Sequence, residues 1–290
     1  MNSPGFPAEH ETGQSPQYDF CLWEYLPPAP SAGKLRSINL LANAFEVANC
    51  GSRPAEIVQA IRTGLGDSRT VWGVKQEGGR VSWEFYFYDY GRLERERSIP
   101  RLLELIRPWV PCAVATSESQ PYFMFSLDLE RAQVVEGRPL EAVQMYIGNI
   151  GGTVSSGICY EITREQTRLK NLYYFFDART EMENIVGKMT SSVHLDVPGL
   201  DLDSILWPEL RTCQVIVVSN KQQRDGVYFS RIDVGQLLVF LKRLGYPEKT
   251  VAYVESNRGR LDHLLYDVGF DYCVVDGRLK IVKSAYYGVF

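Results

Sequence analysis

The chain has 290 residues, a net charge of −4 at pH 7, 45% hydrophobic residues and 23% charged residues. These values are ordinary for a soluble globular protein and allow one large domain or two small ones. The slightly acidic balance gives no general attraction to nucleic acid or to an anionic membrane surface. No apolar stretch approaches the ~18 residues of a membrane span, so we expect a cytoplasmic protein that binds neither nucleic acid nor membrane.

The sequence lacks the short motifs of several common active sites. Its six cysteines show no CxxC spacing, which indicates reduced thiols and fits a cytoplasmic location. The three histidines are far apart and belong to no metal-ligand motif, so we predict no metal ligands among the side chains. There is no Walker A loop and no GxSxG elbow, and no organic cofactor is expected.

The first part of the chain is predicted to hold a tail, an extended segment and two helices. Residues Met1–Gln17 are rich in Pro, Ser, Gly and Glu, which predicts a disordered tail. The remaining residues, 18–290, are predicted to form a single domain. Tyr18–Tyr25 is predicted as an extended segment, and Leu35–Ala48 and Ala55–Leu65 have the apolar spacing of helices.

Five pairs of strand-like runs follow. Two of the intervening turns, Gly78-Gly79 and Asp276-Gly277, are strong hairpin signals because glycine readily adopts positive φ. The pairs are Arg69–Gln76 with Val81–Tyr90, Tyr122–Leu129 with Ala142–Gly148, Gly157–Thr163 with Leu169–Phe176, Cys213–Lys221 with Val227–Arg231, and Phe270–Val275 with Leu279–Tyr286. The predicted helices around them are Ser98–Trp109, Thr180–Met189, Asp201–Leu210, Asp233–Leu244 and Arg258–Asp267.

Ten strands in one sheet favour closure, because a barrel has no exposed edges. In one strand Trp83 and Phe85 alternate with Glu84 and Tyr86, which indicates an apolar face toward helices and a polar face toward a lumen. We therefore predict an α+β fold, a closed ten-stranded antiparallel barrel of five αββα units with helices outside. The alternative is a large open α+β sheet with its tyrosines on the solvent side.

This order of elements resembles the αββα-barrel (ABBA-type) aromatic prenyltransferases, and among them the cyanobactin-type peptide prenyltransferases. The resemblance runs from about Ala55 to the C-terminus, and its best local parts are Cys213–Leu241 and Asp276–Tyr287. It implies transfer of a prenyl group from an allylic diphosphate to an aromatic small molecule or peptide inside the lumen. In that family Lys and Arg side chains hold the diphosphate, tyrosines shield the allylic cation, and Mg²⁺ is the one cofactor implied.

The resemblance also implies individual site residues. Lys170 lies on the same predicted strand face as Tyr174, so a basic and an aromatic group are expected to point inward together. Glu84 is similar to the family's acidic residue that orients or deprotonates the acceptor or holds Mg²⁺. The implied catalytic residues are Glu84, Tyr146 and Tyr174, and the implied diphosphate-binding residues are Lys170, Arg231, Lys283, Gln144 and Tyr228.

Two departures from the family pattern keep other functions open. Gln144 stands where the family carries a diphosphate-binding lysine, and the position of an early arginine in the peptide-modifying members falls near Trp83 or Glu84. Arg69, Lys75 and Lys221 are the bases that would compensate. The alternatives are a non-catalytic barrel that binds a peptide or an aromatic ligand, and an enzyme of other chemistry on the same barrel. Three or more inward cations around one point would favour transfer, whereas an acidic or apolar lumen would favour the alternatives.

Overall fold

A computed structural model describes residues 6–12, 18–20, 23–114, 116, 118–149, 155–195 and 201–290. Two three-residue strands near the N-terminus, β1 (Tyr18–Phe20) and β2 (Trp23–Tyr25), pair with each other in an antiparallel sheet of their own. The extended segment expected at Tyr18–Tyr25 is therefore a small hairpin.

The other strands of the described residues form one closed antiparallel barrel. Each strand pairs with its neighbours in the chain, and the last strand pairs with the first, so no edge is left open. This confirms the predicted ten-stranded barrel and excludes the open sheet. The strands are β3 (Thr70–Glu77), β4 (Arg80–Tyr88), β5 (Met124–Glu130), β6 (Ala142–Asn149), β7 (Ser155–Thr163), β8 (Thr167–Asp177), β9 (Val215–Lys221), β10 (Asp225–Ile232), β11 (Tyr266–Val275) and β12 (Arg278–Val289).

Helices cover the outside of the barrel, and the main hydrophobic core lies between the two layers. Phe45 of a helix stacks on Trp83 of β4 at 4.5 Å between ring centroids, and Trp207 packs on Phe270 of β11 at 5.0 Å. The outward strand faces are apolar because they are buried by these helices. The helices of the described residues are α1 (Ile38–Val47), α2 (Arg53–Leu65), α3 (Ile99–Ile106), α4 (Arg131–Glu136), α5 (Met182–Thr190), α6 (Val234–Arg243), α7 (Glu248–Ser256) and α8 (Arg258–Leu261).

Local sequence signals explain where two of these helices begin. Ser98 Oγ accepts the N–H of Arg101 at 3.4 Å, and Pro100 lies in the first turn of α3, where its missing N–H costs nothing. Asp233 Oδ1 accepts the N–H groups of Gly235 and Gln236 at the start of α6. Gln236 Oε1 accepts the N–H of Asp233 in return, which completes a capping box.

The structure differs from the prediction in four connecting segments. The helix predicted at Arg258–Asp267 ends at Leu261, and the strand β11 begins at Tyr266 because the period-2 alternation already starts there. The helix predicted at Asp201–Leu210 is only a 3₁₀ turn at Leu202–Ser204, since Pro208 follows closely. Two helices, α4 and α7, lie where no helix was predicted.

Part of the predicted N-terminal tail has packed contacts. The Phe6 ring stacks on Phe45 at 5.9 Å, and Glu9 pairs with Arg62 at 2.6 Å. Residues 1–5 and 13–17 of that predicted tail lie outside the described residues. Of the helices that the structure describes, none has both the length and the apolar character needed to cross a membrane.

Candidate functional site

Five tyrosines form a belt around the lumen of the barrel. They lie on alternate strands, β4, β6, β8, β10 and β12, and each lines a cavity of about 150 Å³. Four pairs of neighbouring rings, in order from β12 through β4, β6 and β8 to β10, are 6.0 to 6.3 Å apart between centroids, which is the usual contact range of aromatic pairs. We call this set the tyrosine belt: Tyr86, Tyr146, Tyr173, Tyr228 and Tyr287.

Glycines on neighbouring strands make room for two rings of the belt. A Cβ on Gly269 would lie 2.1 Å from Cδ1 of Tyr228, its cross-strand partner. A Cβ on Gly73 would likewise lie 2.5 Å from Cδ1 of Tyr287, its partner on β12. Both rings therefore lie flat across a neighbouring strand because that strand presents no side chain there.

The cavity above the belt is mostly apolar. Its other walls are apolar side chains and Gly157, apart from two polar groups on adjacent strands, Ser230 and Asp267. Such a lining suits an aromatic or isoprenoid group and excludes water when filled. The apolar wall residues are Val71, Phe123, Met124, Phe175 and Val217.

On the opposite side of the belt, three cations surround one carboxylate. Asp271 is 1% exposed, and Lys221 Nζ lies 2.5 Å from its Oδ1. Arg224 Nε and Lys283 Nζ lie 3.3 and 3.7 Å from its Oδ2. Burial alone would raise the pKa of Asp271, but Lys221, Lys283 and Arg224 outweigh burial and lower that pKa. We call Lys221, Arg224 and Lys283 the cation cluster. Arg224 also pairs with Glu77 at 2.7 Å, so the cluster exceeds its two carboxylates by one charge.

A second charged group in the lumen consists of Lys75 between two carboxylates. Lys75 Nζ lies 2.9 Å from Oε1 of Glu84 and 2.9 Å from Oδ1 of Asp128. Against the effect of burial, Lys75 and Lys283 hold the pKa of Glu84 well below its usual range. Burial raises the pKa of Asp128, and the neighbouring Glu84 charge adds to that rise against the effect of Lys75. The lumen environment therefore favours the ionised form of Glu84 more strongly than that of Asp128.

The tyrosine belt is bonded to both charged groups. Tyr287 Oη donates to Oε2 of Glu84 at 3.0 Å, and Lys221 Nζ donates to Oη of Tyr228 at 3.1 Å. The rings thus separate the apolar cavity, which they line, from the charged groups, which the hydroxyl groups of Tyr287 and Tyr228 contact. This arrangement places an anion site and an apolar site on the two sides of a wall of aromatic rings.

Six predicted residues face the lumen, and four of them lie at the tyrosine belt and its charged neighbours. Glu84, Tyr146, Tyr228 and Lys283 all belong to the belt or to the charged groups that it contacts. Lys170 faces the same side near the end of the barrel, but it pairs with Glu161 at 2.8 Å and does not join the cation cluster.

Gln144 lies beside Lys170 and is uncharged. In the amide orientation that satisfies both neighbours, its oxygen accepts from Lys170 Nζ at 3.1 Å and its nitrogen donates to the Ser126 carbonyl at 3.1 Å. Gln144 is 5% exposed. It therefore positions Lys170 near the lumen wall and adds no cation at the place where the resemblance implied one.

The predicted inward orientation of Tyr174 is wrong. A β-bulge in β8 leaves Lys170 as the extra residue, because Cys159 pairs with Asn171 and Tyr160 pairs with Leu169. The alternation shifts by one residue beyond the bulge, so Tyr173 faces the lumen. Tyr174 packs outside the barrel, where Lys188 Nζ of α5 lies 4.0 Å from its ring centroid.

Arg231 also lies away from the position that its predicted role requires. It is the extra residue of a bulge near the end of β10, with φ of 65°, and its N–H donates to Oδ1 of Asp267 at 3.0 Å. It is seven residues from Arg224 along the chain, roughly 20 Å in an extended strand. Arg231 is therefore beside the cavity and apart from the cation cluster.

Sequence reasoning missed part of the site although a signal was present. The second strand of each pair carries one belt tyrosine on its inward face. The residue two positions before that tyrosine is on the same face and is polar or small, and this repeated pattern is visible in the sequence. Arg224 and the aspartates of β11 carried no such signal, because their partners come from other strands. The missed site residues are Tyr86, Tyr173, Tyr287, Arg224, Asp128, Asp267 and Asp271.

The described side chains do not by themselves form a magnesium site. Within the residues that the structure describes, no three or more His, Cys, Asp or Glu side chains are grouped so that they could hold a metal ion. Glu84 and Asp128 are adjacent carboxyl groups, but Lys75 already lies between them. Mg²⁺ remains an expectation from the resemblance.

Comparisons with known proteins support the fold. No protein-family model and no curated protein matches the chain. Among solved structures, AnaPT from Neosartorya fischeri aligns with 85% of this chain and 90% of its own, with a TM-score of 0.50 and 12% identity. AnaPT is an aromatic prenyltransferase with the ABBA barrel. At this identity the likeness shows a shared fold, and it confirms the ABBA-type barrel predicted from the order of elements.

Proposed function

We propose that this protein transfers a prenyl group from an allylic diphosphate to an aromatic small molecule or peptide in the barrel lumen. The observation that carries the proposal is the tyrosine belt between an apolar cavity and the cation cluster. Prenyl transfer needs a cationic site for the leaving diphosphate, aromatic faces for the allylic cation and protection from water. The shared fold with an aromatic prenyltransferase supports the same activity.

The cation cluster is the proposed site of the diphosphate. Lys221, Arg224 and Lys283 come from the β9–β10 hairpin and from β12, and their excess of one positive charge over Asp271 and Glu77 suits an anion. Fixed ammonium and guanidinium groups stabilise charge that develops on the leaving oxygen without having to reorient. Asp271 holds these cations in place when the diphosphate is absent.

The tyrosine belt is the proposed site of the allylic cation. The C–O bond to the diphosphate breaks and its electron pair stays with the diphosphate. In this proposal the resulting cation forms against Tyr146, Tyr173 and Tyr228, which line the cavity, because aromatic faces attract cations. A carbon of the aromatic acceptor then attacks the allylic carbon, a C–C bond forms and a ring proton is lost.

A non-catalytic barrel that binds an aromatic ligand is the second candidate. One observation favours it: the four cations Lys75, Lys221, Arg224 and Lys283 pair with four acidic side chains, so the positive charge already has partners. Such a barrel would bind aromatic compounds in the cavity and would not bind an allylic diphosphate.

An assay with several diphosphates separates the two candidates. The protein is incubated with dimethylallyl, geranyl or farnesyl diphosphate and with phenols, indoles or tyrosine-containing peptides. We expect a product with one prenyl group added and release of one pyrophosphate per product. Folded protein that binds aromatic acceptors yet releases no pyrophosphate with any pair would overturn prenyl transfer and support the second candidate.

A further inference from the structure

Asp267 is a carboxyl group at the wall of the apolar cavity, on the inward face of β11. Its Oδ1 accepts two hydrogen bonds, from Ser230 Oγ at 2.7 Å and from the Arg231 N–H at 3.0 Å. Its Oδ2 accepts none from the residues that the structure describes. The carboxyl group is thus fixed through one oxygen, and none of the described residues occupies the hydrogen-bonding position of the other, which is on the cavity wall.

We propose that Asp267 recognises the aromatic acceptor by accepting a hydrogen bond from an N–H or O–H group on it. This restricts the acceptor class to phenols, indoles and similar rings with a weakly acidic hydrogen. The apolar cavity would bind the aromatic ring by burying it. The carboxylate would select acceptors that carry the N–H or O–H, because an analogue without that hydrogen leaves the buried carboxylate unpaired.

The position of Asp267 along the lumen fits this role. Asp267, Gly269 and Asp271 share the inward face of β11, and Tyr228 lies across Gly269 between the two aspartates. Four residues of extended strand span about 13 Å. A diphosphate at the cation cluster and an acceptor held at Asp267 would therefore approach the tyrosine belt from opposite sides, with their reacting carbons at the belt.

Glu84 is less suited to the same task. Both of its oxygens are engaged, Oε1 by Lys75 and Oε2 by Tyr287. Glu84 is also on the side of the belt that holds the charges. Asp267 is the carboxyl group that lines the cavity itself.

In the transfer reaction, which rests on the proposed function, Asp267 would also take a proton. As the ring carbon attacks and the C–C bond forms, the O–H or N–H proton passes to Oδ2 of Asp267, leaving a neutral ketone or imine. The ring hydrogen at the new bond then leaves to water, and Asp267 returns its proton to the oxygen or nitrogen. The ring regains its aromaticity and one proton is released per transfer.

The raised pKa of Asp267 suits this proton transfer. Burial raises the pKa of Asp267 to about 6, against the opposing effects of Ser230, the Arg231 N–H and the Arg231 charge. A general base is most effective when its pKa is close to the working pH. The charged group that faces Asp267 is Arg231 on β10, and the phenol of Tyr287 lies on the paired residue of β12.

The binding test compares 1-naphthol with 1-methoxynaphthalene, which has the same ring and no O–H. We expect the wild-type protein to bind 1-naphthol roughly tenfold more tightly, the ratio that one charge-assisted hydrogen bond of about 1.4 kcal/mol gives. Asp267→Asn should lose that preference, and Asp267→Glu should keep part of it. Asp276→Asn in the β11–β12 turn is the matched control. Equal affinities of the wild-type protein for both compounds would overturn the proposal.

The kinetic test addresses the reaction. We expect Asp267→Asn to lower kcat roughly 100-fold, the usual scale for loss of a general base, with unchanged affinity for a geranyl diphosphate analogue. Ser230→Ala removes a hydrogen bond that lowers the Asp267 pKa, so the acidic limb of the pH–rate profile should move to higher pH. An unchanged profile in both variants would overturn the proton-transfer role. Absence of diphosphate binding in the wild-type protein would instead count against prenyl transfer. In that case the comparison of 1-naphthol with 1-methoxynaphthalene would still decide whether Asp267 recognises an aromatic ligand.

Discussion

The phenol of Tyr287 on β12 donates a hydrogen bond to Oε2 of Glu84 on β4 at 3.0 Å. The strand between them, β3, presents Gly73 at this level, and the tyrosine ring lies across that glycine. The contact joins the aromatic wall of the cavity to the carboxylate that pairs with Lys75. Glu84 is therefore a fixed part of the lumen wall, and its effect on ligands passes through Tyr287.

Removal of this hydrogen bond should destabilise the protein. We expect Tyr287→Phe to lower the free energy of unfolding by ~1.5 to 3 kcal/mol, as for a hydrogen bond to a charged group. The neighbouring Tyr286 is buried on the outer face, and its hydroxyl has no hydrogen-bond partner among the described residues. Tyr286→Phe should therefore change stability little. Urea unfolding measures both, and equal losses in the two variants would contradict the proposed hydrogen bond.

A methyl group at Gly269 should displace Tyr228. Because the new Cβ would lie 2.1 Å from Cδ1 of the ring, we expect Gly269→Ala to cost roughly 1 to 3 kcal/mol of stability by overpacking. It should also weaken binding of aromatic ligands in the cavity. Gly187 in α5 has no atom near the place of its Cβ, so Gly187→Ala should stabilise the protein by about 0.5 to 1 kcal/mol. If Gly269→Ala left the free energy of unfolding unchanged, the Tyr228 ring would not lie across this glycine.

Asp271 should compete with an anion for the cation cluster. Asp271→Asn removes the carboxylate but leaves Lys221, Arg224 and Lys283, so we expect inorganic pyrophosphate to bind about tenfold more tightly, a gain of ~1.4 kcal/mol. The same change should lower stability by about 3 kcal/mol, because buried cations lose their partner. Calorimetry and urea unfolding measure the two effects. Asp203→Asn, in an exposed ion pair with Arg211, is the control, and unchanged pyrophosphate binding in Asp271→Asn would contradict this role of the cluster.

The raised pKa of Asp267 predicts how its contribution to stability depends on pH. An aspartate titrates near 3.9 when unfolded, and Asp267 titrates at about 6 when folded. The folded state binds this proton more tightly, so the contribution is complete below pH ~4 and is lost as the pH rises through 6. The stability of the wild-type protein relative to Asp267→Asn should therefore fall by roughly 2 to 3 kcal/mol between about pH 4 and pH 7. A constant difference in urea unfolding across that range would contradict the raised pKa.

The barrel was predictable because its signals are local. Alternation such as Trp83-Glu84-Phe85-Tyr86 identifies strands with one apolar face, and the turns at Gly78-Gly79 and Asp276-Gly277 identify hairpins. These signals do not depend on which distant strands pair with each other in the barrel. Pairing of consecutive strands followed from the hairpins, and closure followed from the number of strands.

The site was less predictable because it depends on contacts between distant strands. The bulge at Lys170 arises from the pairing of β8 with β7, and it reverses which of Tyr173 and Tyr174 faces the lumen. Asp271 gains its cations from β9, the following turn and β12. Asp267 was assigned to the end of a helix, so its place on an inward strand face could not be considered.

Binding of an unreactive allylic diphosphate tests the proposed function most directly. Geranyl S-thiolodiphosphate is titrated by calorimetry into the wild-type protein, into Lys283→Met and into the surface control Lys242→Met. We predict one-to-one binding to the wild-type protein and the control, and binding roughly tenfold weaker in Lys283→Met, the loss of ~1.4 kcal/mol expected for one diphosphate contact. Absence of binding to folded wild-type protein, or equal affinity in Lys283→Met, would contradict a diphosphate site at the cation cluster.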